Sequence, residues 1–108
     1  MTYHFNTKYQ KIHSECLELL NSKAIFMSGN ELKEYLSYDV KRISQAVVVA
    51  QKNGVYDIIN VKGKGYVSTK WLTNDKIRKL IKHQVKTLEN EAIDDLRVAN
   101  GFKELLVW

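Results

Sequence analysis

Apolar residues recur along this chain at helical spacing in several stretches and cluster as strands in one. Between residues 3 and 22, Phe5, Tyr9, Ile12, Cys16, Leu19 and Leu20 follow one another at intervals that fit one face of a helix, which Asn21-Ser22 would end. Ala24-Ile25-Phe26-Met27 is a short apolar run and predicts a small strand. Ser28 stands three residues before Glu31, the spacing of a capping box, in which each side chain bonds the other's backbone amide. Leu32 and Leu36 give the short helix that follows one apolar edge.

Ser37-Tyr38-Asp39 interrupts that pattern, and Asp39 has the chemistry to cap a second helix. There Val40, Ile43, Val47 and Ala50 fall at i, i+3, i+7 and i+10, which predicts one buried face. Asn53-Gly54 ends it, with Gly54 free to take the left-handed conformation beyond the last turn. Tyr56 to Val61 is rich in β-branched and aromatic residues and predicts a strand. Lys62-Gly63-Lys64-Gly65 then predicts a turn, and Tyr66-Val67-Ser68 a returning strand.

The polar positions of the second helix carry the candidate chemistry. Lys41, Ser44, Gln45, Val48 and Lys52 lie opposite its apolar face, with Arg42 alongside. Lys binds guanine or phosphate, Gln makes a bidentate pair with adenine, and Val meets a thymine methyl, so this face suits the major groove of DNA. Lys62 and Lys64 at the turn suit phosphate. The order of elements is that of a winged helix-turn-helix. The run Asp39, Ile43, Val47, Ala50 and Gly54, followed by Gly63-Lys64-Gly65-Tyr66, resembles the winged-helix domain of bacterial regulators of the biotin-repressor and DeoR kind, over about 40 of the 108 residues. The resemblance implies DNA binding with the helix from Asp39 in the major groove, and it implies no enzyme. Such domains often begin with a helix and pair a short strand with the wing. The segments 3–22 and 24–27 are expected in those roles, with a dimerisation helix as the alternative for the first. Lys33 departs from the pattern, standing where these families usually have a small Ala.

After the wing, Trp71 is expected to anchor the exit from the sheet, and Thr73 or Asn74 to cap a last helix with Asp75 in its first turn. Ile77, Ile81, Val85, Leu88, Ala92 and Leu96 form a stripe with an 11-residue repeat. It predicts one long helix from about 74 to 100, closed by Gly101 and about 40 Å in length. A small domain spanning 1–72 does not easily cover that length, so part of the stripe is expected to find another partner. Lys76, Arg78, Lys79, Lys82 and Lys86 occupy its first half and Glu89, Glu91, Asp94 and Asp95 its second, so an antiparallel pair would match opposite charges. The segment 73–108 is therefore expected to dimerise the protein through those six stripe residues. The alternative is a helix folded back on its own domain with a broken or bent middle. The apolar end, Phe102 to Trp108, is expected to pack rather than stay solvated.

Composition changes this picture in two respects. A net charge of +5 suits a polyanionic partner. One cysteine, Cys16, makes no disulfide framework, and the N-terminus lacks the shape of a signal peptide, so the cytoplasm is expected. No apolar run is long enough to span a membrane. His13 and Cys16 at i, i+3, with His4 nearby, fall short of a metal-ligand set, and Cys16 reads as a core residue. Nucleophile, phosphate-loop and paired-carboxylate signatures are absent, so neither a cofactor nor an enzyme is expected. The reading is an α+β, mainly α protein: a winged helix-turn-helix with a long C-terminal helix. It would be a small sequence-specific DNA-binding transcriptional regulator that binds double-stranded DNA as a homodimer. The alternative is a winged-helix protein-interaction module, a phage or plasmid accessory or inhibitor protein, working on a second protein through the long helix and apolar tail.

Overall fold

A computed structural model describes residues 4–89 and 93–106, the side chains of 93–96 excepted. Five helices and one antiparallel hairpin make a mainly helical α+β protein. The helices are α1 (Thr7–Asn21), α2 (Gly29–Leu36), α3 (Val40–Lys52), α4 (Asp75–Glu89) and α5 (Ile93–Leu105). The strands are β1 (Ile58–Val61) and β2 (Gly65–Ser68), and a 3-10 turn over Thr69–Thr73 leads from the hairpin into α4. Among the described residues no helix is long and apolar enough to cross a membrane.

The helix ends follow local chemistry. Asn6 caps α1 by accepting the Tyr9 amide at 3.0 Å. Ser28 and Glu31 complete the capping box, both bonds at 3.1 Å. Asp39 holds the N-cap position of α3, yet its side chain makes no capping bond. The turn before it is made by Ser37, left-handed at φ 61, whose amide bonds the Lys33 carbonyl. At the far end of α3, Gly54 (φ 82) and Val55 donate backward to Gln51 and Ala50, a Schellman closure that satisfies two orphan carbonyls. Asn74 caps α4, its side-chain oxygen accepting from Lys76 and Ile77.

The hairpin lies between two apolar cores. Successive strand residues point to opposite faces, so Ile58 and Ile59 enter different cores although both are buried. One face, with Ile58 and Tyr66, joins Ile12, Cys16 and Leu20 of α1, Leu32 of α2, and Ile43, Ala46 and Val47 of α3. The other face, with Ile59, Val61 and Val67, joins Ile77, Ile81 and Val85 of α4 and Val98, Ala99 and Phe102 of α5. Cys16 is fully enclosed, and burial pushes its thiol up to about 11. His13 is also buried, its ring edge-on to Phe5 at 5.6 Å, and burial holds its imidazole below the ordinary histidine range. Among the described residues no three His, Cys, Asp or Glu side chains group as metal ligands.

Met27 adds a bridge to the hairpin edge. Its amide and carbonyl both bond Tyr66, at 2.9 and 2.7 Å. This bridge is all that forms of the strand expected over 24–27. Gly65 lies against it with φ +115, so close that a Cβ there would fall 2.6 Å from the Met27 carbonyl oxygen. Trp71 ties the hairpin exit to α1 by donating its indole N–H to the Leu20 carbonyl at 2.9 Å.

Three expectations need correction. The helix expected from 74 to 100 is two helices, with α4 ending at Glu89 and α5 beginning at Ile93. The stripe residues Ile77, Ile81 and Val85 are 5%, 1% and 2% exposed within a single chain, and Leu88 packs half-buried on the same core. They are thus covered by the hairpin and α5 and do not form the open seam on which a helix pair between copies was argued. Ala92 lies outside the described residues, and for Leu96 only the backbone of α5 is described. Gly101 does not end a helix but sits inside α5, because the Tyr56 ring occupies the space its Cβ would need. Val40, expected on the buried face of α3, is 37% exposed, and Ala46 takes part in that face instead.

The apolar end packs on the second core. Phe102 is 1% exposed, and Leu105 and Leu106 lie partly buried beside it. Arg78 of α4 reaches across to donate to the Leu106 carbonyl at 2.7 Å. Glu89 pairs with Lys103 at 2.5 Å. Val107 and Trp108 lie outside the described residues.

Candidate nucleic-acid interface

The face of α3 left open by core packing carries Lys41, Arg42, Gln45 and Val48, all exposed. The 3.6-residue period dictates this. With Ile43, Ala46, Val47 and Ala50 turned inward, positions 41, 42, 45 and 48 fall outward. Ser44 and Lys52 flank that face and are half-buried. Ser44 lines the groove beside Tyr66, whose phenol is raised above the ordinary tyrosine range mainly by burial. Of the six expected α3 residues, four are thus exposed and two edge the hairpin.

Lys62 and Lys64 are exposed on the hairpin turn. Three restraints hold that turn. The Lys64 amide donates to the Val61 carbonyl at 2.9 Å, the Lys62 amide donates to Gln84 Oε1 of α4 at 3.0 Å, and Gly65 nests against Met27. Because Met27 leads directly into Ser28 and α2, the turn is registered against the α2–α3 pair.

Two shallow depressions connect α3 with the hairpin. One, of about 380 Å³, is lined by Ser28, Gly29, Val40, Asn60, Gly63, Lys64, Gly65 and Tyr66. The other, of about 240 Å³, runs along Ser44, Val48, Gln51, Lys52, Asn60 and Tyr66 to Gln84 and Leu88 of α4. Of the eight expected residues, Ser44, Val48, Lys52 and Lys64 line these depressions, while Lys41, Arg42, Gln45 and Lys62 are exposed on α3 and the hairpin turn outside them.

Sequence reasoning missed Asn60 and Gln84. Asn60 is the one exposed residue of β1 and lines both depressions, and a lone amide within the run Ile58 to Val61 was a readable signal. Gln84 lies 22 residues from its partner Lys62, and no local pattern gives such a pairing. Comparison with protein-family models, curated proteins and solved structures finds no match to this chain.

Proposed function

We propose that this protein is a winged-helix DNA-binding protein that regulates transcription by occupying an operator. In this reading α3 enters the major groove, where Lys41 and Gln45 meet base edges and Val48 meets a thymine methyl. Arg42, Lys52, Lys62 and Lys64 hold the phosphate backbone, with Ser44 at the groove edge. The observation that carries the reading is that α3 exposes Lys41, Arg42, Gln45 and Val48 beside a hairpin whose basic turn is fixed in register by Gly65 and Met27. The element order agrees with it: helix, bridge, two helices joined by a three-residue turn, then a hairpin. The alternative of a protein-interaction module loses ground on one observation. The tail residues it needs free, Phe102, Leu105 and Leu106, are packed on the second core.

Two substitutions at exposed positions test the roles. Gln45→Ala should weaken binding to the specific site by about 1–3 kcal/mol and relax selectivity at one base pair. Lys64→Ala should weaken all duplexes alike and lower the log–log salt slope by about one. Fluorescence anisotropy against the operator and a scrambled duplex separates the two patterns. If both variants bind as the wild type does, docking through α3 and the hairpin is wrong.

A further inference from the structure

The exposed lysines of α4, unlike Arg78, have no task in the core or in the reading above. From Lys76 to Leu88 this helix carries Lys76, Arg78, Lys79, Lys82 and Lys86 and no acidic residue. Lys76 and Lys79 stand in its first turns, at the positive end of the helix dipole, where cations are unfavourable. Lys82 and Lys86 stand at i, i+4, where like charges repel. Among the described residues no ion pair is made by Lys76, Lys79 or Lys86, all of which are exposed. Arg78 is used in the core and Lys86 complements the C-terminal end of the helix dipole, but Lys76 and the Lys82–Lys86 repulsion gain nothing for the free protein.

The position of these lysines gives a reason for them. Lys76, Lys79, His83 and Lys86 follow at intervals of three, four and three, which aligns them along one face of α4. At His83 that face meets the groove beside the basic hairpin turn. Gln84 accepts the Lys62 amide, and a groove of about 290 Å³ lies between the two elements, with Val61, Lys62, Lys64, Leu80 and His83 in its lining. From Lys76 to Lys86 the face runs about 15 Å, at 1.5 Å per residue. A DNA strand offers a phosphate about every 3.4 Å of duplex axis, so that length faces about four phosphates.

We propose that this face of α4 is a second phosphate-binding surface, continuous with the hairpin turn, which seats the sugar-phosphate backbone of the duplex beyond the base pairs met by α3. The inference rests on the DNA-binding reading and extends its footprint. The occupant is a duplex and not a free phosphate, because the cations form a line rather than converge on a point.

The test uses the full chain with Lys79→Ala and Lys86→Ala combined. Both side chains are exposed and Ala favours helix, so the thermal midpoint should stay at the wild-type value. Binding is followed by anisotropy across salt on duplexes of roughly 12 and 24 base pairs, the shorter spanning little more than one helical turn. The wild type should show the steeper slope on the longer duplex. The double variant should lose about two from that slope, near 0.9 for each phosphate contact removed. An unchanged slope in the variant, with wild-type binding intact, overturns the α4 surface alone. Failure of the wild type to bind either duplex overturns both readings. If the α4 variant lowers the slope while Gln45→Ala and Lys64→Ala change nothing, α4 holds DNA and the docking through α3 is wrong.

Discussion

Phe102→Ala should remove about 3–5 kcal/mol of stability, the usual cost of deleting a buried aromatic ring. Phe102 is 1% exposed and sits in the core shared by the hairpin, α4 and α5. Its ring lies 5.2 Å from that of Tyr56, tilted by 59°. Tyr56 in turn fills the notch above Gly101, so loss of Phe102 frees both the ring and the helix it holds. Domains of this size have about 5–15 kcal/mol in all, so the change is a large share of the total. Urea unfolding followed by circular dichroism measures it. A reduced m-value would mean that α5 has already left the core in the folded state of the variant. A loss below about 1 kcal/mol would mean that the C-terminal segment is not packed as described.

Gly65→Ala should cost about 3 kcal/mol, from strain and lost hydrogen bonds together. At φ +115 an L side chain is strained whatever space it has. Here the space is also taken, by the Met27 carbonyl oxygen at 2.6 Å and carbon at 2.8 Å and by the Ser28 amide nitrogen at 3.1 Å. All three are backbone atoms, so no rotamer change relieves the clash. The hairpin must lift away from Met27 and give up the two bonds that join Met27 to Tyr66. The thermal midpoint should fall by roughly 15 °C, at 4–8 °C per kcal/mol for a domain of this size. Gly63→Ala is the informative control. Gly63 also has positive φ, at 82, but nothing lies within 4 Å of its added Cβ, so strain alone remains. Equal shifts in the two variants would show that the approach of Met27 does not matter.

The parts of this fold that could be read from the sequence are those set by neighbours in the chain. The Ser28–Glu31 capping box, the Gly54 closure of α3 and the inward positions Ile43, Val47 and Ala50 are all fixed within a few residues. The candidate interface was legible for the same reason, since its exposed residues are what remains once the α3 core face is assigned. The break between α4 and α5 stood only as the alternative to one long helix, because the stripe fits both. Residues 77, 81, 85, 88, 92 and 96 make a stripe that a continuous helix would also make, and neither Pro nor Gly stands between Glu89 and Ile93. The second core decides the matter, because Val98, Ala99 and Phe102 reach Ile81 and Val85 only if the chain folds back. Gly101 misled for a related reason. A glycine that ends a helix and one that admits a neighbouring ring look alike in sequence, and only Tyr56, 45 positions earlier, tells them apart. Both partners of the Lys62–Gln84 bond were visible as residues, but the pairing was not.

The measurement that tests the central claim most directly is anisotropy of a random-sequence duplex titrated with this protein across a range of salt, at a known oligomeric state. The account predicts binding that weakens steeply, with a log–log slope of roughly −4 from the phosphate-holding residues of α3 and the hairpin turn and roughly −6 with the lysines of α4 included, at about −0.9 each. Absence of binding at about 50 mM salt, where phosphate contacts are strong, would contradict it.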